Sequence, residues 1–145
     1  MKVTRIGTVP IARLFETLLR SLQADYQENT GELLELQELQ AGLTYIKQFG
    51  DKNQHSVGVK VLELQEPSLY RVHFQSNRGD EFITYECQAL NQEETQVSYA
   101  YDFVAKDWFG KANHFLMSKL LTKSLERQFD AQLQALIRHA QEQEE

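Results

Sequence analysis

The stretch DWFGKANHFLMSKLLTKSLERQFDAQLQALIRHA, residues 107–140, decides how the rest of the chain is read. It holds no proline, its one glycine, Gly110, falls in the first turn, and Asp107 stands where a helix N-cap is wanted. A single helix is expected from Asp107 to about Ala140. At 1.5 Å per residue it measures roughly 50 Å, whereas a globule of this length is about 40 Å across. The last turns are therefore expected to project or fray. Gln141-Glu142-Gln143-Glu144-Glu145 agrees, because carboxylates are disfavoured at the negative end of a helix dipole.

Met117, Leu121, Leu125, Phe129, Leu133 and Ile137 form an i+4 ridge that winds around this helix, since each step of four turns it by about 40°. Trp108, Ala112, Leu116 and Leu120 cover another side of the first half only. That half reads as a helix gripped on several sides, and the second half carries a single apolar stripe.

Working outward, residues 2–8 read as a short strand. Pro10 opens a helix whose apolar positions Ile11, Leu14, Phe15, Leu18, Leu19 and Leu22 share one face, and Gly31 stops it. Residues 32–41 fit a short helix or a strand equally. From Gly42 the chain becomes a meander of strands at 43–49, 55–65, 69–76, 81–90 and 95–104, separated by turn residues.

Register follows for the last three strands if Arg78-Gly79 is a two-residue hairpin loop and Gln92 to Glu94 a three-residue one. The first loop sets Phe74 against Ile83, Val72 against Tyr85, Tyr70 against Cys87 and, on the other face, Arg71 against Glu86. The second sets Cys87 against Tyr99, Tyr85 against Tyr101 and Ile83 against Phe103. One face is then apolar at one end and holds four phenols, Tyr70, Tyr85, Tyr99 and Tyr101, at the other. Buried hydroxyls need partners, so a packed core rarely spends so many tyrosines.

The element order is strand, helix, short element, antiparallel meander and long C-terminal helix. It resembles the helix-grip fold of the START-like superfamily, which includes lipid-transfer domains, polyketide cyclases and plant pathogenesis-related proteins. Met1-Lys2-Val3-Thr4, the helix at Pro10 and Gly42-Leu43-Thr44-Tyr45-Ile46-Lys47 look like a small bacterial family of unassigned function within it. The resemblance implies an α+β domain over residues 1–145: a curved antiparallel sheet of about six strands wrapped around the C-terminal helix, with a cavity between them. It transfers no catalytic residue, and the glycine-rich loop of the plant proteins is missing.

Bulk properties narrow the function. The chain has 145 residues, 41% of them hydrophobic, which suits one domain with a proper core. A net charge of −6 argues against a nucleic-acid partner. One cysteine excludes an internal disulfide and fits a reducing compartment. With no apolar signal region and no membrane-length run, the expectation is a cytoplasmic protein.

Each tempting motif also has a plainer reading. Arg78-Gly79-Asp80 spells an adhesion tripeptide, but a hairpin loop wants glycine with polar flanks anyway. Cys87 has no histidine on its face and reads as a small core residue. His55, His73, His114 and His139 lack metal-ligand spacing, so no metal and no cofactor is expected. Lys119, Lys123 and Arg127 read as a solvated edge paired with Glu126 and Asp130.

The expected function is non-catalytic binding or carriage of a small apolar or amphipathic molecule between sheet and C-terminal helix. Its expected lining is Tyr70, Tyr85, Cys87, Tyr99, Tyr101, Leu116 and Leu120. The alternative is an interaction module or homodimer built on Phe129, Leu133, Leu136, Ile137 and Ala140 of the projecting helix end. An enzyme of the cyclase or hydratase kind ranks third, for lack of a titratable group at the tyrosine end.

Overall fold

The computed structural model describes residues 1–106 and 108–142, with side chains described for residues 1–106 and 123–142. In chain order these are β1 (Lys2–Gly7), α1 (Ile11–Thr30), a 3₁₀ turn (Leu36–Glu38), β2 (Thr44–Phe49), β3 (His55–Gln65), β4 (Leu69–Gln75), β5 (Gly79–Ala89), β6 (Thr95–Ala105) and α2 (Trp108–Glu142). Among the described residues the strands form one antiparallel sheet in the order β1-β6-β5-β4-β3-β2. Both helices pack against it, α2 on β1 and β6, and α1 on β2 and β5. This is the helix-grip arrangement, and the open segment 32–41 settles as a single 3₁₀ turn.

Local chemistry explains where α1 begins and ends. Pro10 is the extended N-cap, its carbonyl accepting from the Arg13 and Leu14 amides, and proline loses nothing there because its missing N–H has no helical partner. Gly31 ends the helix at φ +79, a left-handed conformation that costs glycine nothing, and its amide reaches Gln27 O at 2.8 Å. The stripe Leu14, Phe15, Leu18, Leu19 and Leu22 is buried as its spacing requires.

Both hairpins depart from the expected register, each by two residues. Ser76 N–H donates to Gly79 O at 3.0 Å, so the loop is Asn77-Arg78 and Gly79 is already in β5, opposite Ala105. Its glycine is required by its place in the sheet, because its φ of +154 strains other residues and a Cβ there would run into the Val104 carbonyl oxygen. In the second hairpin Asn91 Oδ1 accepts the amides of Glu93 and Glu94, both at 2.8 Å, and starts the loop one residue early.

A slip of two preserves every side chain's face but moves its neighbours. The inner rows are therefore Tyr70, Tyr85, Tyr99; then Val72, Ile83, Tyr101; then Phe74, Glu81, Phe103. Cys87 stands opposite Val97 rather than Tyr99. The expected Arg71–Glu86 pair is not formed: Arg71 lies opposite Thr84 and Glu63 with its guanidinium over the Phe82 ring, and Glu86 lies opposite Leu69 and Ser98.

The distal half of α2 does not project. Phe129, Leu133, Ile137 and Ala140 are all buried, so the stripe proposed for a partner is occupied by the chain's own sheet and α1. Arg5 of β1 holds Asp130 with two guanidinium hydrogen bonds, and Gln141 Nε2 donates to Thr8 O at 3.1 Å. The expected cap at Asp107 and the expected burial of Leu116 and Leu120 lie outside the described residues.

Candidate functional site

The apolar stripe of α1 continues for one more turn as Asp25 and Tyr26, so Asp25 reaches the sheet from the same face as Leu18 and Leu22. On β2 the alternation of the strand turns Tyr45 and Lys47 to that side. The Tyr45 hydroxyl donates to Asp25 Oδ2 at 2.5 Å, and Lys47 Nζ lies 2.9 Å from Asp25 Oδ1. Tyr26 sets its ring edge-on to Tyr45 with centroids 5.3 Å apart, and Asn29 Oδ1 accepts the Gln48 amide. The last turns of α1 are thus tied to β2 at a stand-off, and space is left between helix and sheet.

That space is a cavity of about 890 Å³. Its floor is the inner face: Tyr70, Val72 and Phe74 of β4, Ile83 and Tyr85 of β5, and Tyr99 of β6. One wall is α1, with Leu18 and Leu22 deep and Arg20, Ser21, Ala24 and Glu28 towards solvent. The other is the distal part of α2, through Gln132, Ala135, Leu136 and His139. Asp25, Tyr45 and Lys47 close the β2 end.

The phenols of the row Tyr70, Tyr85, Tyr99 are its distinctive chemistry. The Tyr70 and Tyr85 rings stack at 6.0 Å between centroids, and Tyr99 meets Tyr85 edge-on at 5.1 Å. Tyr70 and Tyr99 are 9% and 3% exposed and Tyr85 is half-buried; their rings are packed while their hydroxyls face the cavity, and none of the three finds a hydrogen-bond partner among the described residues. Burial pushes the Tyr85 phenol up to about 12, and burial with the neighbouring Tyr85 pushes Tyr70 and Tyr99 up as well. At neutral pH all three are therefore O–H donors.

Of the residues expected at the site, Tyr70, Tyr85 and Tyr99 line the cavity together. Tyr101 does not. Its hydroxyl donates to Glu81 Oε2 at 2.8 Å, and Phe129 of α2 packs on its ring at 5.3 Å. Cys87 is also off the cavity, buried on the inner face beside Val97, with burial lifting its thiol to about 12. The side chains of Leu116 and Leu120 are outside the described residues.

Sequence reasoning missed Asp25, Tyr45 and Lys47, and with them a titratable group of the kind it held to be lacking at the tyrosine end. The signals were present. Asp25 falls three residues after Leu22, where the α1 stripe calls for another inward residue, and Tyr45 and Lys47 share one face of β2. It also missed Glu81, whose parity with Ile83 and Tyr85 turns it inward.

With this geometry in hand, the comparisons with known proteins are of two kinds. The model of the family described as a domain of unknown function, DUF3284, matches residues 1–122. The chain belongs to that family. No curated protein matches this DUF3284 chain by sequence. Among solved structures it is similar to the Zhui aromatase/cyclase from Streptomyces sp. R1128, with a TM-score of 0.66 at 17% identity over 97% of this chain and 92% of that one. Norcoclaurine synthase from Thalictrum flavum, in complex with dopamine and hydroxybenzaldehyde, gives 0.65 at 11% identity over 100% and 87%. Ara h 8.0201 gives 0.60 at 10% over 98% and 97%. At these identities what the DUF3284 chain shares with all three is the helix-grip fold.

Proposed function

We propose that this DUF3284 protein holds a small, partly apolar molecule in the cavity between α1, the sheet and the distal part of α2, without transforming it. The observation that carries the reading is the row of three phenols, without hydrogen-bond partners among the described residues, on a largely apolar cavity floor whose rim is polar. Hydroxyls that face a cavity without protein partners are satisfied by water or by a guest, and a guest that accepts from them can replace that water. A volume of about 890 Å³ suits a small organic molecule, for which cavities of roughly 300–1,000 Å³ are usual. The norcoclaurine synthase structure, with dopamine and hydroxybenzaldehyde bound to the same fold, supports by analogy the binding of a small molecule, though not the absence of a reaction.

On this reading residues 1–145 act as one domain, Tyr70, Tyr85 and Tyr99 orient the polar end of the guest, and Leu18, Leu22, Val72, Phe74 and Ile83 cover its apolar body. Native mass spectrometry of freshly expressed protein tests it. A retained mass that disappears on denaturation, or uptake of an environment-sensitive dye that such a guest displaces, is the expected result. A cavity that takes up neither would sink the reading.

A further inference from the structure

The donor and acceptor inventory of the cavity narrows the class of guest. On the acceptor side, Asp25 is engaged at both oxygens, by the Tyr45 hydroxyl and by Lys47, and Glu28 stands exposed on the solvent side of the α1 wall. Tyr45 spends its own proton on that bond. On the donor side stand the hydroxyls of Tyr70, Tyr85 and Tyr99, adjacent across three strands, bonded neither to one another nor to any described residue.

Charge is balanced around this row. Lys47 is paired with Asp25 and Arg20 with Glu16, and His139 lies exposed on the α2 wall, so no unpaired lysine or arginine of the described lining is left to compensate an anion on the row. An ionised group taken out of water without such a partner carries a large desolvation penalty, and an amine set on the phenol row itself would meet more donors where it needs acceptors. A neutral carbonyl oxygen has two lone pairs and can accept from two phenols of the row at once.

We propose that the guest is an uncharged carbonyl compound, its oxygen held by the phenol row Tyr70, Tyr85 and Tyr99 and its apolar body lying over Val72, Phe74, Ile83, Leu18 and Leu22. This inference rests on the binding reading above. Ring burial supports it, because phenols kept protonated well past neutrality donate without competing as anions.

A shape-matched probe set tests it: 9-fluorenone, fluorene and fluorene-9-carboxylate, with free and bound probe measured by equilibrium dialysis against the whole chain. The comparison is with Tyr85→Phe and with Tyr85→Phe/Tyr99→Phe, their folding checked by thermal melts, so that one variant remains if the other is unstable. The preference for fluorenone over fluorene should fall about ten-fold in a variant, while fluorene itself binds unchanged. The infrared carbonyl band of bound fluorenone should be lowered in frequency by the wild type and should return towards its apolar-solvent position in the variant. If fluorene and fluorenone bind with a preference that neither variant alters, or if the carboxylate binds most tightly, the carbonyl inference is overturned and the cavity reading stands. If none of the three binds, both fall.

Discussion

Gly7, the last residue of β1, lies directly beneath Ile137 of α2: a Cβ built on residue 7 would sit 2.6 Å from Ile137 Cγ2. Nothing in the β1 backbone demands a glycine there, so the demand comes from the helix above. Gly7→Ala should therefore destabilise the fold by about 1–3 kcal/mol, the usual cost of overpacking. Ile137→Ala removes a buried side chain and should cost about 2–5 kcal/mol. The double variant should lose clearly less than the sum, because the new methyl enters the space that isoleucine vacates. Strict additivity in denaturant melts would place the end of α2 away from β1.

The Asp25 bridge should be worth less than its short distance suggests. Lys47 and Asp25 are both partly solvated, with side chains 38% and 24% exposed, and such a pair contributes about 0–1 kcal/mol. Tyr45 is buried, and removing its hydroxyl leaves one carboxylate oxygen short of a donor, so Tyr45→Phe should cost about 1–2 kcal/mol. Hydrogen exchange should show the loss in the last turns of α1, Asp25 to Thr30, ahead of the sheet. A Lys47→Met loss larger than that of Tyr45→Phe would reverse this ranking.

Alkaline pH probes the buried phenols. Burial raises the Tyr85 phenol from 10.0 to about 12 and the Cys87 thiol from 9.0 to about 12. Tyr45, Tyr70, Tyr99 and Tyr101 move in the same direction, all led by burial. The folded form then keeps protons that the unfolded form has released. The stabilisation is complete below the unfolded values and drains as pH rises from there towards the folded ones. Urea midpoints should hold up to about pH 9 and fall steeply by about pH 12. Absorbance titration should show phenolate formation delayed until the protein unfolds, and Cys87 should resist thiol reagents until denaturant is added. Phenols that all ionise near their ordinary value in the folded protein would contradict the burial.

How much of this was legible in the chain differs from element to element. Strand limits and the facing of each side chain could be read, because both depend on turn residues and on a period of two that one buried face enforces. Neighbours across strands could not, since they hang on which residue opens each loop. Gly79 looks like a turn glycine but is needed for a close strand contact, and Asn91 captures two amides that sequence alone does not reveal. Helix length was similarly ambiguous. A helix of roughly 50 Å exceeds the width of the domain without saying which end does so. The better signal was the apolar spacing of Phe129, Leu133, Ile137 and Ala140, and it proved stronger than the acidic tail.

The way into the cavity gives the last prediction. Ala24 on α1 and Ala135 on α2 both line it, both are exposed, and both are small where a larger residue would narrow the gap between the helices. Exposed helix positions tolerate substitution at a cost within about 0.5 kcal/mol, and alanine, the best helix former, gives up only a few tenths more to a bulky aromatic. Ala135→Trp, alone or with Ala24→Trp, should therefore leave the melting temperature nearly unchanged while slowing dye uptake and release, as read by stopped-flow fluorescence. A change that blocks a passage slows association and dissociation together, so affinity should move much less than either rate. Should both rates stay at their wild-type values with the tryptophans in place, the guest enters elsewhere. Should affinity fall because release quickens, Ala135 lies in the binding surface itself and not at its mouth.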